Sequence, residues 1–218
     1  MNIFIAEDHQ LMIDAYKTIL SFSDVIGANP VFIEVKSCEE AHIRITELTQ
    51  QNVRIDLAIL DYSMPAFNEK KITNGGDVCQ YLRQLQPECK TLMVTSIIQN
   101  VILFDVLLTI KPDAIVTKHD IDGDKLLEII TLVLSGKNYK SDFINEQINE
   151  IWTCEAFVSD LNRRILHFLA LGYKLKQIAE ELSVSEITIK KRISKIKQSL
   201  DLKDDTAILK EAKLRGYI

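Results

Sequence analysis

The chain has 218 residues, 47% hydrophobic and 26% charged, which excludes a disordered protein and leaves length for one large core or two modest ones. Its net charge of −5 is unevenly divided: residues 159–218 carry 13 Lys and Arg against 8 Asp and Glu, and the totals of 26 and 31 leave 13 against 23 for residues 1–158. Local balances of +5 and −10 point to two modules with different partners, the basic one suited to nucleic acid.

Met1-Asn2-Ile3-Phe4 runs straight into a strand-like segment with no signal-peptide pattern. Short apolar runs then alternate with helical patterns. Strands are expected at Ile3–Ala6, Phe32–Val35, Leu57–Leu60, Thr91–Val94 and Ala114–Val116. Helices are expected near residues 10–22, 39–51, 76–86, 99–109 and 122–135, the first carrying Leu11, Ala15, Ile19 and Phe22 at helical spacing. The longest apolar stretch, Val101–Ile110, is broken by Asp105 and is too short to span a bilayer. Four scattered cysteines, Cys38, Cys79, Cys89 and Cys154, fit buried reduced thiols better than disulfides or zinc. The expectation is a soluble cytoplasmic protein that makes no membrane contact.

Five β-α units with continuous apolar strands predict an α/β fold with a five-stranded parallel sheet, doubly wound, with helices on both faces. Gly136 ends the last of these helices, and residues 136–158 read as a linker in which Ile144, Ile148, Ile151 and Trp152 recur at roughly helical spacing. Trp152 is expected to pack between the domains, the alternative being that it caps the second one. From Leu161 onward the pattern is entirely helical. The expected division is therefore 1–135, linker 136–158 and a small all-α domain at 159–218.

In parallel α/β sheets, chemistry sits at the carboxyl ends of the strands. Glu7 and Asp8 follow the first strand, Asp61 the third, Thr95 and Ser96 the fourth, and Thr117 and Lys118 the fifth. Three carboxylates converging on one edge repel one another and call for a cation, and Mg²⁺ suits carboxylate, carbonyl and water oxygens. An Asp carboxylate beside such a metal and a Lys can act as nucleophile on a phosphoryl group, with a hydroxyl such as Thr95 to hydrogen-bond the new phosphoryl oxygen. An Asp after a strand is commonly a mere turn residue, and a lone Lys is surface charge. The coordinated placement at four strand ends argues against coincidence.

These motifs, Glu7-Asp8 with His9 behind it, Asp61 with Ser63-Met64-Pro65, Thr95-Ser96 and Lys118, make residues 1–135 resemble the receiver domain of two-component response regulators. The resemblance implies a flavodoxin-like fold and a phosphoacceptor Asp61. It also implies that Glu7, Asp8, Asp61 and the Ser63 carbonyl surround Mg²⁺, that Thr95 is the switch hydroxyl, and that Lys118 pairs with the phosphate. The phosphodonor would be a sensor histidine kinase. Two features depart from the pattern. Ile115 stands where receivers often carry an aromatic, and the segment Ala66–Asn74 is longer than usual. That segment reads as a tolerated insertion or as a lid or partner contact.

In the last part, Ile178 and Leu182 form an apolar stripe in Lys176–Leu182, and Ser183-Val184-Ser185 makes a short connection. The next helix places Ile189, Ile193, Ile196 and Leu200 on one face and Ile187, Lys191, Ser194, Lys195 and Gln198 on the opposite one. Two short helices, a tight turn and a basic second helix meet the needs of a helix-turn-helix. The segment resembles the LuxR/NarL-type output domain in Ile178-Ala179, Leu182, Val184-Ser185, Thr188-Ile189-Lys190, Ile193-Ser194, Ile196 and Leu200. That implies groove contacts from Lys190, Lys191 and Ser194, and phosphate contacts from Thr188 and Lys195. It also implies dimerisation on DNA through a last helix at Asp205–Arg215. Ser159-Asp160-Leu161-Asn162 departs from the family's usual opening with Pro and Glu. The Ser-Met-Pro motif with its long following loop is similar to the RcsB-like branch.

The leading reading is a response regulator, not an enzyme, whose phosphorylation at Asp61 controls sequence-specific DNA binding and transcription as a homodimer. The alternative keeps DNA binding and makes the receiver a phosphorylation-independent dimerisation or partner module. An aspartyl-phosphate hydrolase needs a second carboxylate two residues after Asp61, where Ser63 stands.

Overall fold

A computed structural model describes residues 1–96, 103, 106–146, 159–199 and 207–210. The chain divides into two compact units. The first contains β1 (Asn2–Ala6), α1 (Gln10–Ser21), β2 (Val31–Val35), α2 (Cys38–Gln50), β3 (Leu57–Asp61), α3 (Gly75–Leu85), β4 (Lys90–Thr95), β5 (Ala114–Thr117), α4 (Gly123–Leu134) and β6 (Tyr139–Lys140). All six strands are parallel, in the order β2-β1-β3-β4-β5-β6. The five expected strands are present. The sixth, Tyr139–Lys140, lies where the sequence reading places the linker. Two polar-flanked residues carry too little apolar pattern to announce a strand; backbone pairing to Ala114 and Ile115 makes it one.

Side-chain alternation assigns the two faces of the sheet. Ile3, Ile5, Leu57, Ile59, Leu92, Val94, Ala114 and Val116 join one core with Ile13, Tyr16 and Leu20 of α1 and Leu126, Ile129, Ile130 and Val133 of α4. Phe4, Ala58, Leu60 and Met93 are fully buried on the alternate positions, the side left for α2 and α3, which contact each other. The helix expected near 10–22 forms, but its buried side is not the Leu11–Phe22 row. Leu11 and Phe22 are 80% and 90% exposed, whereas Ile13, Tyr16 and Leu20 are buried. This helix is apolar on two sides, and only packing against the sheet selects between them.

Of the helix expected near 99–109, residues 97–102, 104 and 105 lie outside the described residues. The part that follows is a π-helical turn at Val106–Ile110, closed by Lys111 N donating to Val106 O at 2.7 Å. Residues 147–158, and with them Ile148, Ile151, Trp152 and Cys154, are likewise outside the described residues. The other three cysteines are free and buried, as expected.

The second unit contains α5 (Asp160–Ala170), α6 (Leu175–Glu181) and α7 (Glu186–Ser199). Ile165, Leu166, Ile178, Ala179, Leu182, Ile189, Ile193, Ile196 and Ile208 form its core. Ser183, with φ of +52°, turns the chain out of α6, and Val184 N donates back to Ala179 O at 3.0 Å. Ser185 then starts α7 by accepting Thr188 N on its hydroxyl at 3.1 Å. Of the last expected helix only residues 207–210 are described, and they are helical. Leu200 lies outside the described residues.

Candidate functional site

Strand register brings the acidic residues together. β1 lies between β2 and β3, so strand order reverses there and opens a crevice at the carboxyl ends. Ala6 pairs with Leu60, so Glu7 arrives beside Asp61. Asp61 pairs with Val94, and Thr95 with Thr117, which sets Thr95 and Lys118 on the other flank. Lys118 N donates to Thr95 O at 2.9 Å, fixing where the lysine leaves β5.

From there Lys118 Nζ reaches both acids, 2.8 Å from Glu7 Oε2 and 3.0 Å from Asp61 Oδ2. Glu7 and Asp61 are 1% and 3% exposed, a depth that carboxylates reach only when paired. Burial works against the Lys118 charge, but the hydrogen bonds and charges of Glu7 and Asp61 outweigh it and raise its pKa above the ordinary lysine value. Asp61 Oδ1 accepts Ser63 N at 3.2 Å. Glu7 Oε1 accepts His9 N at 3.2 Å and lies 3.0 Å from His9 Nδ1. The hydrogen bond that Glu7 accepts from the ring, followed by the Asp8 charge, pushes the His9 pKa up.

Ligand-capable atoms of Glu7, Asp8, His9 and Asp61 all lie within 4.8 Å of one another. Asp8 Oδ1 is buried and pairs with His9 Nδ1 at 2.7 Å. Three carboxylates gathered this closely have a natural complement in a hard cation. Both oxygens of Glu7 are already engaged by Lys118 and His9. Thr95 is 5% exposed at the end of β4. Tyr16, under the cluster, has a buried hydroxyl, and burial followed by the Glu7 and Asp61 charges pushes its pKa up.

Gly75 is a site residue that the sequence reading passes over. A Cβ built on it would stand 1.9 Å from the Asp61 carbonyl oxygen, and its N–H donates to Tyr62 O at 2.8 Å. Only glycine lets α3 start this close to the chain that carries Asp61. Asn74 caps the same helix by accepting Gly76 N and Asp77 N. The Asn-Gly-Gly-Asp run signals the helix start in the sequence, but not the approach to Asp61.

The long segment at 66–74 is ordered as a small hairpin. Phe67 and Ile72 exchange backbone hydrogen bonds of 2.7 and 3.1 Å, and Ile72 is buried. The Phe67 ring lies 5.7 Å from that of His42, which lies 4.5 Å from that of Tyr81. The hairpin is thus anchored on α2 and α3. Ile115, in place of an aromatic, is buried at 2% exposure.

In the second unit α7 turns Ile189, Ile193 and Ile196 inward, at 0%, 5% and 0% exposure. Lys190, Lys191, Ser194 and Lys195 are exposed on it. The Thr188 hydroxyl lies 2.9 Å from Ser185 Oγ, so it takes part in the helix cap.

A family model described as "Response regulator receiver domain" matches residues 3–131. The chain belongs to the response regulator receiver family. A second model, "Bacterial regulatory proteins, luxR family", matches residues 158–212. The chain is 25% identical to the transcriptional regulatory protein DegU of Brevibacillus brevis, covering 100% of this chain and 95% of that one. It is 28% identical to the oxygen regulatory protein NreC of Staphylococcus haemolyticus, covering 97% and 96%. Among solved structures it resembles RcsB in a complex of two dimers with two parallel DNAs, with a TM-score of 0.65, 22% identity and 98% of each chain covered. RcsB of Salmonella enterica serovar Typhimurium, bound to a promoter in the presence of phosphomimetic BeF3−, gives a TM-score of 0.63 with 22% identity and 96% of each chain covered. At that identity the likeness is one of fold, a parallel α/β domain followed by a small helical domain. Among the described residues no helix is long and apolar enough to cross a membrane.

Proposed function

We propose that this response regulator accepts a phosphoryl group on Asp61 and thereby controls sequence-specific DNA binding and transcription. The observation that carries the proposal is Lys118 bridging two nearly solvent-free carboxylates, one of them Asp61, with the Asp8 carboxylate in the same cluster. A carboxylate oxygen of Asp61 attacks phosphorus, the P–N bond of a phosphohistidine on a sensor histidine kinase breaks, and the imidazole leaves. Lys118, already aimed at Asp61, is placed to pair with the incoming phosphoryl oxygens, and the Thr95 hydroxyl to hydrogen-bond one of them. Asp8, Asp61 and the Ser63 carbonyl are the residues to hold Mg²⁺, with Glu7 behind them. The ion supplies neutralisation of phosphoryl charge. The reaction modifies the protein itself and turns over no external substrate, so the chain is a switch rather than an enzyme.

The domains serving this scheme are 1–135, whose sheet β6 extends into 139–140, and 159–218, with the rest of 136–158 joining them, in a cytoplasmic protein that dimerises on DNA. Lys190, Lys191 and Ser194 face the groove, and Thr188 and Lys195 lie near phosphates. Two observations favour the phosphorylation-independent alternative: Ile115 removes the aromatic from the usual readout, and the anchored hairpin at 66–74 offers a partner surface. A small phosphodonor with Mg²⁺ separates the readings. Mass spectrometry is expected to find one added phosphoryl group on the wild type and none on Asp61→Asn. An unlabelled wild type, under conditions that label another receiver, overturns the phosphorylation reading.

A further inference from the structure

Ile187 stands alone as an apolar residue on the basic face of α7. It is 65% exposed, one position into a helix whose opposite side is fully committed to the core through Ile189, Ile193 and Ile196. At about 100° per residue, Ile187 shares its outward line with Lys191, Ser194 and Gln198, directly opposite that buried row. Its neighbours Glu186 and Lys190 are themselves ion-paired at 4.0 Å and largely solvated. One large apolar side chain among charges is too narrow a patch for a protein partner, which takes a contiguous apolar surface. It matches an isolated apolar group among polar ones.

The DNA major groove offers one such group, the 5-methyl of thymine, set among hydrogen-bond acceptors and phosphates. The flanking cations Lys190, Lys191, Arg192 and Lys195 complement that polyanion, and the first turns of a helix-turn-helix's second helix are the part that meets base edges. A β-branched side chain has few rotamers to lose on making the contact. We infer that Ile187 packs on a thymine methyl and so fixes a position in the DNA site where T is required. The inference rests on the DNA-binding reading above and adds an apolar specificity contact to its polar ones.

The test uses the full-length chain. A site is first selected from random duplex DNA, and each thymine is then replaced singly by deoxyuridine, which removes only the methyl group. Fluorescence anisotropy is expected to show one position per half-site where this weakens wild-type binding about four-fold, the worth of one buried methyl. Ile187→Ala should bind the thymine and deoxyuridine sites equally, while Ile187→Val keeps most of the discrimination. A wild type indifferent to every replacement overturns the inference without any variant being needed. So does an Ile187→Ala protein that still discriminates, including one whose only change is in association state by sedimentation. A wild type that selects a site but ignores methyls removes the Ile187 contact alone. A wild type that selects no sequence removes the DNA-reading function, and this contact with it.

Discussion

Replacing Lys118 by Met tests the charge arrangement at the centre of the site. The substitution keeps the apolar stem and deletes the ammonium that lies 2.8 Å from Glu7 and 3.0 Å from Asp61. Those acids are 1% and 3% exposed, so water cannot replace the lost partner, and Asp8 adds a third negative charge beside them. Removing one partner of a buried ion pair costs about 3–5 kcal/mol because the remaining charge is left uncompensated. Lys118→Met should therefore lower the free energy of unfolding of the receiver unit by about that much, read from urea denaturation without metal. Removing the opposing charge as well should relieve the cost, so Lys118→Met with Asp61→Asn is expected to be more stable than Lys118→Met alone, a coupling of about 1–3 kcal/mol. Millimolar Mg²⁺ should stabilise Lys118→Met more than wild type, since it meets a denser negative cluster. A loss below about 1 kcal/mol, or a double variant no better than the single one, would refute the claim that Lys118 compensates buried carboxylates.

Gly75→Ala drives a methyl into the Asp61 carbonyl, 1.9 Å away, and overpacking of this kind costs about 1–3 kcal/mol or more. Phosphorylation by a small donor should slow markedly because the displaced backbone carries the acceptor; a wild-type rate would show that the backbone yields elsewhere. Asp113 links β4 to β5 by accepting Thr91 N and Thr91 Oγ1, each at 2.9 Å, and it meets Arg83 and Lys90. Burial opposes its charge, but those hydrogen bonds and cations prevail and hold its carboxyl below the usual value. Stability from a depressed carboxyl is present above its unfolded pKa and disappears as pH falls through the folded one. Asp113→Asn should therefore be less stable than wild type by about 1–3 kcal/mol at neutral pH, with the gap closing below about pH 4. A gap independent of pH in urea melts would exclude the charge as its source. Lys191→Ala should weaken binding to a selected site by about 1–3 kcal/mol and relax preference at one position. Unchanged affinity and preference would take Lys191 out of the groove.

The residues Glu7, Asp8, Asp61, Thr95 and Lys118 were legible because each follows an apolar run long enough to be a strand, and parallel strands end on a common edge. The amphipathic phase of α7 was legible for a similar reason: Ile189, Ile193 and Ile196 repeat with the helical period, which leaves Ile187 and Lys191 outward. Periodicity is local, so the sequence alone carries it. It could not choose between the two apolar sides of α1, nor reveal that Tyr139–Lys140 is a strand, since both follow from what the segment packs or pairs against. The Asp61 carbonyl beside Gly75, the capture of both Glu7 oxygens by His9 and Lys118, and the anchoring of the hairpin at 66–74 on His42 also lay beyond it. These contacts join residues far apart in the chain, or side chains whose rotamers neighbours decide. Sequence determined which chemistry meets at the sheet edge; tertiary structure decided how that chemistry is held, because distances between non-local atoms are set only when the strands take register and the core closes.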